Sequence, residues 1–88
     1  MADKLNIPYH QDAGHGWLEV SRNLLQELGI EATISCFSYA SGNRVFLEED
    51  SDAAKLINAL KAAGRDFHLE DRDCGNWAFV RNFPSYTH

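Results

Sequence analysis

Two histidines and an aspartate near the N-terminus have the residue types of a metal site. His10, Asp12 and His15 combine two imidazoles with a carboxylate, which are ligands that transition metals accept. His10 and His15 are five residues apart, which differs from the i, i+4 spacing of a zincin helix. A site here would therefore need a further protein ligand. The candidates for that ligand are His68, Cys74 and His88.

The same segment also has a structural interpretation, which we favour. Turn-forming residues surround His15, in Asp12-Ala13-Gly14 and at Gly16. His15 then fixes the turn by hydrogen bonding while His10 is solvated, and we expect no cofactor. A small metal-binding protein or metal-dependent enzyme that uses His10, Asp12 and His15 is the alternative function.

The two cysteines do not form a nucleophilic or redox pair. Cys36 lies among apolar and β-branched residues, where a thiol usually behaves as a small buried hydrophobe. Cys74 follows Asp73 in an acidic turn, and negative neighbours disfavour the reactive thiolate. Because the Cys-x-x-Cys spacing is missing as well, we expect two inert, reduced thiols.

Four acidic residues cluster in the middle of the chain, at Glu48, Glu49, Asp50 and Asp52. Their spacing is not that of an EF-hand loop. They lie between a predicted strand and a predicted helix, where carboxylates cap the helix and oppose its dipole. We therefore expect a structural role, with an acidic edge for a basic surface of a partner protein as a further use.

Charge and motif argue against nucleic acid as the partner. Eight Lys and Arg against thirteen Asp and Glu give a formal net charge of −5, whereas phosphate binding needs a basic face. The run from Trp77 to Phe83 echoes the aromatic strand of an RNA-recognition motif. However, Asn76 and Asn82 stand where that motif has glycine and an aromatic residue.

Hydrophobic periodicity predicts a single α+β domain over residues 1–88. The predicted strands are 17–20, 33–39, 44–48, 67–70 and 77–81. The first predicted helix is 21–28 and is capped by Ser21. The second predicted helix is capped by Asp50 or Ser51 and ends at Gly64. Residues 1–14 are an irregular lead-in, and residues 83–88 are a tail. An alternative interpretation begins the first helix at Trp17.

The order β-α-β-β-α-β-β predicts a two-layer sandwich. Two amphipathic helices would cover one face of a mostly antiparallel sheet of four to five strands. The first six elements match the ferredoxin-like order.

Strand alternation predicts a second, aromatic face of this sheet. The helix-covered face would carry Leu18, Val20, Ile34, Cys36, Val45 and Leu47, and the opposite face Trp17, Phe37, Tyr39 and Phe46. An open aromatic face is typical of an interaction surface. The competing interpretations are that the tail folds over this face or that the strands have the opposite register.

Several short blocks carry a resemblance to other proteins. The blocks are Tyr9 to Val20, Leu28 to Ile30, Ser38-Tyr39, Val45 to Asp50 and Asp52-Ala53. Their pattern resembles a group of short, uncharacterised proteins of bacteriophages and bacterial mobile elements, over about residues 9 to 63. The resemblance implies an accessory protein that acts inside a bacterial host, and it transfers no catalytic residue.

The sequence has no apolar run long enough for a secretory signal or a membrane span, so we expect a cytoplasmic protein without a membrane partner. We expect a non-enzymatic accessory protein that acts by protein–protein interaction, for instance by inhibiting or modulating a host protein, or that self-associates. The candidate partner-binding residues are Trp17, Phe37, Tyr39, Phe46, Glu48, Glu49 and Asp50.

Overall fold

The computed structural model describes residues 4–87 and has an α+β architecture with one five-stranded mixed sheet. The elements are β1 (Leu5–Gln11), β2 (Gly16–Ser21), α1 (Arg22–Glu27), β3 (Tyr39–Ser41), β4 (Arg44–Glu48), α2 (Ala53–Ala62) and β5 (Phe67–Asp73), with short 3-10 helices at Glu31–Thr33 and Phe79–Asn82. The predicted fold class is therefore confirmed. None of the helices in residues 4–87 has the length and apolar character that crossing a membrane requires.

The sheet has the strand order β3-β4-β2-β1-β5. All neighbouring strands are antiparallel except β1 and β5, which are parallel. From β2 to β5, the chain follows the predicted β-α-β-β-α-β order. β1 is an additional strand that lies between β2 and β5.

The predicted lead-in at residues 1–14 is wrong for Leu5–Gln11, which form β1. Pro8 obscures this strand in the sequence because proline cannot donate to a sheet ladder. The register between β1 and β2 begins at Tyr9, so Pro8 lies where β1 pairs with β5 alone.

The main core lies between the sheet and both helices. Leu18 and Val20 of β2 and Val45 and Leu47 of β4 face this core, as the alternation predicts. The helices contribute Leu25, Leu56 and Leu60, all fully buried, while Leu24, Leu28 and Ile57 are partly buried against the same cluster. The two helices therefore cover one face of the sheet.

The start of α1 is predicted correctly. The Ser21 hydroxyl accepts a hydrogen bond from the Leu24 amide at 3.1 Å, as an N-cap does. Residues 16–21 form a strand, so the alternative helix from Trp17 is wrong.

The predicted N-cap of α2, Asp50 or Ser51, is wrong, because the N-cap residue is Asp52, whose side chain makes no capping hydrogen bond. The predicted stop at Gly64 is confirmed, since Gly64 follows the C-cap Ala63 with φ +68°.

Asp52 instead organises the segment that the sequence predicts as a strand over 33–39. Its buried carboxylate accepts hydrogen bonds from the Ser35 amide and from the hydroxyls of Ser35 and Ser38, at 2.5–3.1 Å. These bonds hold the segment as a loop, so β3 begins only at Tyr39. Cys36 is exposed in this loop rather than buried in a strand.

The predicted hairpin is confirmed for its inner part, where β3 and β4 pair from Tyr39 to Ser41. Gly42 occupies the first loop position with φ +59°, a conformation that favours glycine.

The second face of the sheet is covered by residues 74–83, which we call the covering segment, whereas Tyr86 further along the chain is buried in the main core. The predicted strand over 77–81 is wrong, because residues 79–82 form a 3-10 helix. Ala78 and Val80 are fully buried against Trp17 and Phe46. Of the predicted tail, only Phe83 packs on this aromatic face within the described residues, so the interpretation in which the tail covers it is confirmed for Phe83 alone, and the buried residues of the cover come from the predicted strand.

Candidate functional site

The predicted metal ligand Asp12 is a structural anchor. Its carboxylate accepts hydrogen bonds from the amides of Gly14, His15 and Ala78, each at 2.9 Å. Arg81 donates two more, from Nε at 2.5 Å and from Nη2 at 2.9 Å. The Arg81 hydrogen bonds, against the opposing effect of burial, hold the pKa of Asp12 well below its usual range. Both carboxylate oxygens are therefore engaged within the fold.

His10 is buried rather than solvated, so that expectation is wrong. Its Nε2 lies 2.8 Å from the Glu19 carboxylate, which also accepts from Arg44 Nε at 2.8 Å. The imidazole ring packs against Phe46 and Phe79. His10 is thus buried in contact with a partly buried carboxylate and two aromatic rings.

The predicted ligands His10, Asp12 and His15 do not come together as one group of metal ligands in the described residues. Among residues 4–87, the one group of three potential metal ligands consists of His15, Glu48 and Asp50, whose ligand atoms lie within 4.8 Å of one another. His15 is the only member that this group shares with the predicted set. Of the further candidates, His68 and Cys74 are not part of the group, and His88 lies outside the described residues.

A cleft of about 370 Å³ opens where β4 ends and β2 and β3 begin. Trp17, Phe37 and Tyr39 form its aromatic lining. Its polar groups come from His15, Glu48, Asp50, Ser51 and Arg81. The cleft therefore combines aromatic rings with carboxylates in one concave surface.

Glu48 holds the turn that carries Asp50 to the cleft. Its Oε2 accepts hydrogen bonds from the Asp50 amide at 2.8 Å and from the Ser51 hydroxyl at 3.1 Å. Its Oε1 lies 3.3 Å from His15 Nδ1. Glu48 is 9% exposed, whereas Asp50 is exposed. Asp50 is therefore the carboxylate that a ligand can reach most directly.

Arg81 also lines the cleft, but its charge is already compensated. Its guanidinium lies 5.0 Å from the centre of the Trp17 ring and 4.9 Å from that of Trp77, while it pairs with Asp12. Within residues 4–87, neither Glu48 nor Asp50 forms an ion pair with a lysine or arginine. The cleft thus carries net negative charge.

The aromatic residues that the sequence analysis assigns to one face differ in their exposure. Trp17 and Phe46 are 1% and 3% exposed, so the expected exposure of these two is wrong. Phe37 is 68% exposed in the loop before β3, and Trp77 is 63% exposed in the covering segment. We call Phe37 and Trp77 the exposed rim, since Phe37 lines the cleft and Trp77 stacks on its Arg81.

Five of the predicted partner-binding residues line this cleft, namely Trp17, Phe37, Tyr39, Glu48 and Asp50. The other two do not line it, although Glu49 is exposed. Phe46 is buried under the covering segment, and the Glu49 carboxylate accepts a hydrogen bond from the Tyr9 hydroxyl.

Sequence reasoning missed Arg81 and Ser51. The Arg81–Asp12 pair joins residues 69 positions apart, and no local pattern signals such a pair. The resemblance blocks supply His15, Trp17, Tyr39, Glu48 and Asp50 to the same cleft. Comparison with protein-family models, with curated proteins and with solved structures finds no match for this chain.

Proposed function

We propose that this chain is a small non-enzymatic accessory protein that binds a partner protein through the cleft and the exposed rim. The observation that carries the proposal is the exposure of Phe37 and Trp77 beside a concave surface. Large aromatic side chains dominate binding hot spots, and exposing them to water has no benefit for the folding of a monomer.

The use of the polar groups in the cleft supports binding rather than catalysis. Glu48 stabilises the turn through Asp50 and Ser51, and Arg81 ties the covering segment to Asp12. These groups keep the cleft in one shape, and a preformed surface reduces the entropy cost of binding.

The resemblance of residues 9 to 63 supports the biological setting. We propose that the protein acts inside a bacterial host, in the manner of a bacteriophage or mobile-element accessory protein, by modulating or inhibiting one host protein. The net charge of −5 supports a partner with a basic surface, because opposite charges steer association.

The test is affinity capture from a nuclease-treated bacterial lysate, with retained proteins quantified by mass spectrometry. Parent protein is compared with Phe37→Ser and Trp77→Ser, and Lys61→Ser serves as the control because Lys61 is exposed on α2. We expect one protein to be retained equally by the parent and by Lys61→Ser. We expect the retained amount of that protein to be at least tenfold lower with each of the two rim variants. Equal retention by all four proteins would contradict the proposal.

A divalent-metal-binding function is the second candidate, and the grouping of His15, Glu48 and Asp50 favours it. One imidazole and two carboxylates suit zinc or manganese. A chelator-treated sample titrated with zinc would then show stoichiometric binding that is lost in His15→Gln and kept in His68→Gln, which alters an exposed histidine on β5.

A further inference from the structure

We propose that the cleft receives an arginine side chain of the partner protein. This inference rests on the proposed function, since it specifies what the partner inserts. The guanidinium would lie among the aromatic rings, with its N–H groups directed at Asp50 and Glu48.

Charge complementarity is the first argument. The two carboxylates of the cleft, Glu48 and Asp50, have no lysine or arginine partner within the described residues. The local guanidinium of Arg81 is committed to the fully buried carboxylate of Asp12. Glu48 is engaged by His15 Nδ1 at 3.3 Å and by the hydrogen bonds of its own turn, so the exposed carboxylate of Asp50 is the negative charge that a cation entering the cleft meets most directly.

The aromatic lining is the second argument. A guanidinium is planar and weakly hydrated, so it stacks on aromatic faces while it donates to carboxylates. Phe37 and Tyr39 line the cleft together with Asp50. Lysine would gain the charge interaction, but its ammonium lacks the planar fork that pairs with a carboxylate bidentately.

The protein already holds one guanidinium in this way. The Arg81 guanidinium lies over the rings of Trp17 and Trp77 and pairs through two nitrogen atoms with Asp12. The cleft has the same two components, aromatic rings and a carboxylate, next to this internal arginine. Its volume of about 370 Å³ is at the lower end of the roughly 300–1,000 Å³ range of ligand pockets, which suits one long side chain.

The probe is N-acetyl-L-arginine amide, titrated into the chelator-treated full chain and followed by amide chemical shifts in ¹H–¹⁵N NMR spectra. N-acetyl-L-citrulline amide, whose ureido group is neutral, is the matched ligand control. We expect saturable shifts around Phe37, Tyr39 and Asp50 with a Kd of about 1 mM, as befits a fragment of this size. We expect binding of the citrulline compound to be at least tenfold weaker.

Two matched protein variants complete the design. Asp50→Asn removes the exposed carboxylate of the cleft, and we expect it to weaken binding of the arginine compound at least fivefold. Asp66→Asn removes an exposed carboxylate in the loop before β5, at the end of the sheet opposite to the cleft. We expect this variant to bind the arginine compound like the parent.

Equal binding of both ligands, shifts located away from the cleft, or the absence of saturable shifts would each overturn the inference. Such a result together with rim-dependent capture of a protein would leave the proposed function standing and refute only the arginine site. Arginine binding without any rim-dependent capture would support the site and refute the proposed function. Tight zinc binding at His15 and Asp50 with no response to the arginine compound would assign the cleft to a metal and overturn the inference.

Discussion

Asp12 connects parts of the chain that are far apart in the sequence. Its carboxylate fixes the turn at Gly14 and His15, which leads into β2, and it also holds Ala78 and Arg81 in the covering segment. Paired, buried charges are costly to separate, because the remaining partner is left uncompensated. One side chain therefore controls both the position of His15 and the closure of the second sheet face.

We expect Asp12→Asn to lower the free energy of unfolding by about 3 kcal/mol or more, since it leaves Arg81 without its counter-charge. Urea unfolding followed by tryptophan fluorescence measures this change. Asp66→Asn is the control, and a change within about 0.5 kcal/mol is expected for it. Equal stability of Asp12→Asn and the parent would show that the anchor is not needed.

The same residue predicts how stability depends on pH. Hydrogen bonds from Arg81 lower the pKa of Asp12 in the folded state. Burial raises the pKa of Asp52, but hydrogen bonds from Ser38, Lys55 and Ser35 outweigh it, so this pKa is lowered as well. A lowered folded-state pKa means that the stabilisation is complete above the unfolded value of about 4 and is lost as the pH falls below it.

We therefore expect the free energy of unfolding to fall steadily as the pH is lowered below about 4, and the fall to be smaller in Asp12→Asn than in the parent. Urea titrations at pH 7, 4, 3 and 2 measure both slopes. A parent protein whose stability is constant down to pH 2, or identical slopes for the two proteins, would contradict the lowered pKa of Asp12.

At the scale of elements, the covering segment turns an aromatic sheet face into a second core. Ala78 and Val80 are fully buried, and they pack against Trp17 and Phe46 rather than against the helices. The alternation of apolar residues in 77–81 that predicts a strand reflects this burial rather than sheet pairing. Local patterns cannot distinguish these two causes, because both place apolar groups at regular positions.

Val80→Ala tests this second core. We expect it to lower the free energy of unfolding by about 2 kcal/mol, because it removes buried methyl groups and leaves a cavity. Leu60→Ala probes the helix-covered core in the same way, and we expect a loss of about 2–5 kcal/mol there. If Val80→Ala unfolds like the parent while Leu60→Ala is destabilised, the covering segment does not pack on the sheet.

Helices and strands can be predicted from the sequence where the interactions that form them lie between residues close in the chain. Ser21 and the leucines of α1, the hairpin at Gly42 and the apolar stripe of α2 act through near neighbours, and these elements are correct. β1 was missed because its identity depends on pairing with β5 across the length of the chain, while Pro8 argues against a strand. Residues 33–39 were misassigned because the loop is held by Asp52, a tertiary contact.

Residues of the candidate site are likewise predictable only where their position depends on the local sequence. Glu48 and Asp50 reach the cleft because they follow β4 directly, so their position depends on local pattern. Phe37 is exposed because it lies in the loop that Asp52 organises, and not because it alternates in a strand. The position of Arg81 depends on its pairing with Asp12, which no spacing rule could supply.

At the scale of the whole molecule, both faces of the sheet are covered, one by the helices and the other by residues 74–83. The cleft lies at one end of the sheet, where β4 ends and β2 and β3 begin. Exposed aromatic rings and uncompensated carboxylates meet there. Under the proposed function, this acidic chain would present the cleft and the exposed rim to a basic site of its partner without rearranging its own core.

The most direct test of this account is site-specific photo-crosslinking at the exposed rim. The photoreactive amino acid p-benzoylphenylalanine replaces Phe37 in one sample and Lys61 in a control, and both proteins are irradiated in bacterial cells. We predict one dominant crosslinked protein at position 37, absent at position 61 and reduced at position 37 when Asp50→Asn is added. The same crosslinks at both positions, or none at position 37, would contradict binding of a partner at the cleft.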